Sequence, residues 1–138
     1  MTIHHAALVV TDLDASLRFW REGLGFVEQM DARFDGDWPA LFDAPTTRLR
    51  SVFLGHPDHP DSGIVELVDL GPSVAPGPPP AAPTTGFLLL SVYCDVEATL
   101  TRLAGLGLGG EPRRIAAYGV TMAVVTEPTG VRVELIDR

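Results

Sequence analysis

Apolar positions along the chain follow two periods in turn, and the order of those periods repeats. Ile3 to Val10 is a short, partly β-branched apolar run and predicts a strand. Thr11-Asp12 then offers a helix N-cap. Leu13, Leu17, Trp20 and Leu24 follow at helical spacing, with Arg18, Arg21 and Glu22 on the other faces. Gly23-Leu24-Gly25 stops that helix, and Phe26 to Met30 resumes as a strand. The same grammar returns later. Phe87 to Tyr93 is apolar, Asp95 is a cap, Val96, Leu100 and Leu103 repeat the helical stripe, and Gly105-Leu106-Gly107 stops it. The offset is 83 residues between the two aspartate caps and 82 between the two Gly-Leu-Gly stops.

Both halves also end alike. Ile64-Val65-Glu66-Leu67-Val68 closes the first, and Val131-Arg132-Val133-Glu134-Leu135-Ile136 closes the second after the turn Glu127-Pro128-Thr129-Gly130. Each half therefore reads β-α-β-β-β, the first lengthened by insertions near 33–46 and 55–62. Between them, residues 71–85 carry Pro72, Pro76, Pro78, Pro79, Pro80 and Pro83, which forbids a helix or a central strand and predicts a stiff, extended linker. The expectation is a single domain over 1–138 of class α+β, with module one at 1–70, the linker at 71–85 and module two at 86–138.

Composition narrows the functional classes. Hydrophobic residues make up 46% and charged residues 20%, a globular balance. A net charge of −8 without any Lys/Arg cluster excludes nucleic acid and anionic membrane as natural partners. No apolar run is long enough to span a bilayer, and the start Met1-Thr2-Ile3-His4-His5 lacks the basic region of a signal peptide, so the expected location is cytoplasmic. The lone Cys94 cannot form an intrachain disulfide and reads as a packed thiol. No phosphate loop, nucleophile elbow or dinucleotide motif is present, so no nucleotide cofactor is expected. What remains is a protein for a small-molecule ligand.

Strand alternation assigns candidate residues to faces. On the first strand His5 lies with Ala7 and Val9, while His4 points to the other face and reads as structural. Glu66 lies with Ile64 and Val68, and Glu134 with Arg132 and Ile136. A lone carboxylate on an apolar strand costs several kcal/mol unless it is paired, protonated or bound to a cation. Two matching strands carry such a glutamate, and a histidine opens the first strand. Arg132 is a possible local partner for Glu134. Arg48 and Arg50 alternate on the third strand and would hold a substrate carboxylate or phosphate if their face lines the site; otherwise they sit on an exposed face. Trp38, Leu41 and Phe42, with Pro39 suited to a first turn, predict a short helix that covers the site or supplies packing surface. Tyr118 before Gly119 is placed at the mouth of the site. His56 and His59 have metal-like spacing, but flanking prolines favour a solvated turn.

The stretch from His5 to Trp20, ending Leu24-Gly25-Phe26, and the ending Glu127-Pro128-Thr129-Gly130-Val131-Arg132-Val133-Glu134-Leu135 resemble the vicinal oxygen chelate superfamily, which includes glyoxalases, bleomycin-resistance proteins and dioxygenases. The resemblance covers essentially the whole chain. It implies two βαβββ modules forming a cupped mixed sheet with helices on the outer side; separate cups would leave open sheet edges and a short core, and pairing between chains to cover them predicts a homodimer. The resemblance also implies metal ligands on the first and last strands of each module. Carried over, these are His5, Glu66 and Glu134. The fourth position, counted back from the Asp95 cap, is Leu88, which cannot ligate and would instead line the substrate site. One imidazole and two carboxylates form an acceptable set for Zn²⁺, Mn²⁺, Fe²⁺, Co²⁺ or Ni²⁺. Two functional classes follow. The first is a metal-assisted isomerase, epimerase or lyase that forms an enolate from a substrate with vicinal oxygens, with Glu134 or Glu66 as base. The second is a metal-free member, either a drug-sequestering binding protein or an enzyme working through Glu66 or Glu134 alone.

Overall fold

The structure is a computed structural model that describes residues 1–79 and 81–138; Pro80, read above as part of the linker, lies outside the described residues. It divides into two units, Met1–Pro76 and Gly77–Arg138, and the division falls inside the proline-rich stretch. Each unit builds one four-stranded mixed sheet in the order β-α-β-β-β, giving the α+β class. Among the described residues no helix is long and apolar enough to cross a membrane.

In the first unit, β1 (His5–Val9) leads into α1 (Leu13–Leu17), which continues as a π-helical turn over Arg18–Gly23. Strand β2 (Val27–Asp35), the short helix α2 (Trp38–Phe42), β3 (Arg48–Gly55) and β4 (Ile64–Asp69) follow. The sheet order is β1-β4-β3-β2, with β1 and β4 parallel and the other pairs antiparallel. The second unit repeats this with β5 (Leu90–Cys94), α3 (Val96–Gly105), β6 (Gly109–Ala117), β7 (Val120–Thr126) and β8 (Arg132–Asp137) in the order β5-β8-β7-β6. Strands β5 and β8 are the parallel pair.

Both long helices begin where the sequence places their caps. Asp12 accepts from the Ala15 amide at 3.0 Å and Asp95 from the Ala98 amide at 2.9 Å, each satisfying a donor that the first turn leaves open. In the second unit the buried stripe is the predicted one: Val96, Leu100 and Leu103 are buried, as are Val125, Val133 and Leu135 on the sheet. In the first unit the stripe differs. The wider π turn brings Phe19 and Trp20 both to 0% exposure, with Ser16 and Gly23 on the same buried side, while Leu13, Leu17 and Leu24 are only half-buried. These two rings share the core with Leu8, Val10, Val52, Leu54, Val65 and Leu67. Full burial of an aliphatic or aromatic side chain contributes roughly 1.5–3 kcal/mol, so this layer is the main stabiliser of the unit.

Strand limits also shift. Strand β1 begins at His5 rather than Ile3, β5 begins at Leu90 rather than Phe87, and β2 runs on to Asp35 into the first insertion. The proline-rich stretch is tied at both ends. Val74 packs on the cluster of Ala44, Leu49, Val68 and Leu70, and the Arg132 guanidinium donates to the Ala81 carbonyl.

Candidate functional site

The core-facing side of the first sheet uses the even positions of β1 and β3 and the odd positions of β4. The opposite side is left to His5, Ala7 and Val9 on β1, to Leu49, Ser51 and Phe53 on β3, and to Glu66 and Val68 on β4. Helix α2 stands beside this second face. Its cap is the Asp37 carboxylate, which accepts from the Ala40 amide at 3.2 Å, and it ends on Asp43 in the left-handed region at φ 59°. The Trp38 indole donates to the Phe34 carbonyl at 3.1 Å and its ring stacks on Phe42 at 5.9 Å between centroids. Strands and helix together enclose a cavity of about 590 Å³ walled chiefly by aromatic and aliphatic side chains.

One end of this cavity is polar. The His5 imidazole Nε2 lies 3.2 Å from Glu66 Oε2, and the Ser51 hydroxyl donates to Glu66 Oε1 at 2.5 Å. The Glu66 side chain is only 14% exposed, so these two partners offset its desolvation. The Phe53 ring meets His5 edge-on at 5.5 Å between centroids and fixes the plane of the imidazole. His4 also takes part, which alternation did not foresee: its Nδ1 lies 2.8 Å from His5 Nδ1, within hydrogen-bond distance. Residue 4 precedes the first strand position, and the pleat does not dictate its direction.

In the second unit, β8 presents Glu134 opposite Ser91 on β5, whose hydroxyl bonds the carboxylate. The Arg132 guanidinium, proposed above as a partner of Glu134, instead turns to the Ala81 carbonyl. The strand registers also correct the position compared with His5. Ala7 pairs with Glu66 and Ser91 with Glu134, so Ala7 corresponds to Ser91 and His5 corresponds to Leu89, not Leu88. Counting from the helix cap gave Leu88 because the second unit has one residue fewer between strand and cap. Leu89 is equally unable to ligate. Leu88 is 52% exposed and borders a separate cavity of the second unit, next to Leu89, Val124 and Arg132.

Other sequence candidates lie elsewhere. Arg48 and Arg50 do share a face, but it is the one opposite the cavity: Arg50 makes a two-bonded pair with Asp31 at 2.7 and 2.9 Å, and Arg48 lies 3.6 Å from Asp35. The Arg50 guanidinium bonded to Asp31 holds that carboxyl below its ordinary value, and Asp31 in turn raises the Arg50 value. Neither arginine is a ligand for a substrate anion in the cavity. Tyr118 is fully exposed at the tip of the β6–β7 hairpin, where Tyr118 and Gly119 take φ of 53° and 77° as a two-residue turn with left-handed centre requires. His56 and His59 face each other across an exposed turn, with His56 near Asp58 at 3.7 Å. Burial raises the Cys94 thiol above its ordinary value, as suits a packed side chain. Among the described residues no group of three or more His, Cys, Asp and Glu side chains comes together as a metal set. His5 and Glu66 come together in the first unit at 3.2 Å, and Glu134 lies on β8 of the second unit.

Comparison with known proteins gives the same lineage as the fold. The family description "Glyoxalase/Bleomycin resistance protein/Dioxygenase superfamily" matches residues 2–135. A lactoylglutathione lyase-like protein, terB, from Aspergillus terreus is 33% identical, over 99% of this chain and 75% of its own length. A glyoxalase-family protein from Bacillus cereus superposes with a TM-score of 0.77 at 17% identity, covering 99% of this chain and 93% of that one. The trypanothione-dependent glyoxalase I of Leishmania major gives 0.70 at 21% identity, over 99% and 86%. With a family match over nearly its full length and two βαβββ sheets, the chain belongs to the Glyoxalase/Bleomycin resistance protein/Dioxygenase superfamily.

Proposed function

We propose that this chain is a small-molecule enzyme that moves a proton on a substrate with neighbouring oxygens, an isomerisation through an enolate, with Glu66 as the base. The observation that carries this reading is the largely buried Glu66 carboxylate, held by Ser51 and His5 at the polar end of an apolar cavity. A carboxylate kept from water, with a fixed orientation, is suited to take a proton from carbon. The C–H bond breaks, an O–H bond forms on Glu66, and the electron pair moves to the adjacent carbonyl oxygen. Return of the proton to the neighbouring carbon, as the substrate's own hydroxyl proton passes to the enolate oxygen, gives the isomer and restores the carboxylate, with no co-reactant. His5, in the tautomer protonated on Nε2, donates to Glu66 and orients it, while its Nδ1 accepts from the His4 ring. Glu134, bonded to Ser91 without an imidazole beside it, is given no step.

Sequestration of a ligand without turnover is the second reading, favoured by the mainly apolar wall. Deuterium exchange separates the two. With (R)-benzoin as probe in D₂O, the wild-type chain is expected to wash deuterium into the carbinol carbon and racemise it. Glu66→Gln should lower that rate by about 10²–10⁴-fold, the usual worth of a general base. Exchange no faster with the wild type than with Glu66→Gln would overturn the proposed reaction.

A further inference from the structure

We infer that the first-unit cavity selects uncharged, ring-bearing ligands that carry a hydroxyl or carbonyl, and rejects carboxylates and phosphates. This rests on the proposed use of the cavity as the substrate site and names the class of molecule it takes. The argument is electrostatic. Among the described residues lining the cavity there is no lysine or arginine, and its ionisable groups are His5 and Glu66. His5 is engaged by Glu66, so the one carboxylate in the wall meets any entering anion without a counter-ion. The two arginines on the neighbouring strand point to the other face of the sheet and are paired there with Asp31 and Asp35. An anion leaving water for this cavity would lose hydration and gain repulsion from Glu66. An uncharged hydroxyl loses little, because Glu66 accepts hydrogen bonds and Ser51 and His5 supply polar atoms beside it.

Shape argues in the same direction. Trp38 and Phe42 stack on each other and Phe34 and Phe53 also line the space, so four aromatic rings meet a cavity of about 590 Å³. That volume falls in the ordinary range for drug-sized ligands, roughly 300–1,000 Å³. Flexible, highly charged chains would leave these rings without contacts, whereas a fused or substituted ring system covers them.

The test is titration calorimetry of the full chain with 2-naphthol and 2-naphthoate, which share a ring system and differ in charge. 2-Naphthol is expected to bind at least ten-fold tighter. Glu66→Gln should bring the two within about three-fold, because it removes the repulsion, and Trp38→Ala should weaken 2-naphthol at least five-fold. Equal or tighter binding of 2-naphthoate to the wild type would overturn the inference, whatever the variants do. So would undetectable binding of 2-naphthol, or binding that Trp38→Ala leaves unchanged. The benzoin exchange reads the reaction separately. Selectivity without exchange removes the proposed reaction and keeps the ligand class, and exchange without selectivity does the reverse.

Discussion

His5 reaches Glu66 diagonally: the parallel register of β1 and β4 sets Ala7 opposite Glu66, yet the imidazole of His5 closes to 3.2 Å of the carboxylate. The small Ala7 side chain leaves that diagonal open. In the second unit the corresponding position is Ser91, whose hydroxyl bonds Glu134 directly. The same strand pair thus holds its glutamate in two different ways, and only the first places an imidazole beside it.

If His5 and Glu66 act as one unit, their substitutions will not add. His5→Ala is expected to reduce benzoin exchange about ten-fold or more, and Glu66→Gln by at least about 10²-fold. The double variant should be no slower than Glu66→Gln alone. Rates that fall by the product of the two single effects would show independent roles.

The register that matches His5 with Leu89 is open to a direct check. Leu89→His should place an imidazole on the Glu134 side of β5, and Leu88→His should not. In proton NMR, the ring signals of a histidine at 89 are expected to move when Glu134→Gln is added, while those of a histidine at 88 stay in place. The opposite pattern would restore the count from the helix cap.

How far the sequence reached depended on which signal was read. Two-fold alternation put His5, Glu66 and Glu134 on the faces they occupy, because strands with one core-facing side leave little freedom in register. The caps at Asp12 and Asp95 were legible for a similar reason: the chemistry is local. Leu88 was misplaced because the count ran through a connection whose length differs between the halves. The direction of Arg48 and Arg50 was in principle readable, since Val52 and Leu54 share their parity and both are buried at 0% on the core side. The π turn at Arg18–Gly23 was not readable, because a single inserted residue leaves the apolar spacing of a helix nearly intact.

Acid will loosen the Arg50–Asp31 pair in a defined direction. Asp31 has a folded value lowered below the ordinary 3.8, first by the hydrogen bond from Arg50. A depressed carboxylate contributes stability that is present above its unfolded value and lost as pH falls through the folded one. The contribution should therefore be intact at neutral pH, begin to fall near the ordinary value of 3.8 and be lost as pH drops through the lowered folded value. Both side chains are about a third exposed, at 32% and 31%, so its size is that of a surface pair, roughly 0.2–1 kcal/mol. Urea unfolding of Asp31→Asn should show a deficit of that size at pH 7 and a smaller one at pH 2.5. An equal deficit at both would assign it to packing.

The buried end of the β7–β8 turn gives the clearest stability prediction. Glu127 is 1% exposed, and its Oε2 accepts from both the amide and the hydroxyl of Thr129, each at 2.5 Å. Its other oxygen finds no partner among the described residues. Glu127→Ala removes an acceptor from a backbone amide with few alternatives, which costs about 1–3 kcal/mol. Glu127→Gln keeps an oxygen for Thr129 and turns the other position into an amide donor, so it should cost less. Thr129→Val removes only the hydroxyl bond and leaves the backbone one. The expected order of loss in Tm is Glu127→Ala first, by several degrees, then Thr129→Val and Glu127→Gln, each by a smaller amount. Calorimetric melting of the three variants reads this order, and a Glu127→Ala chain that melts within a degree of the wild type would show that the turn is held by Gly130 and the strand ladder without the carboxylate.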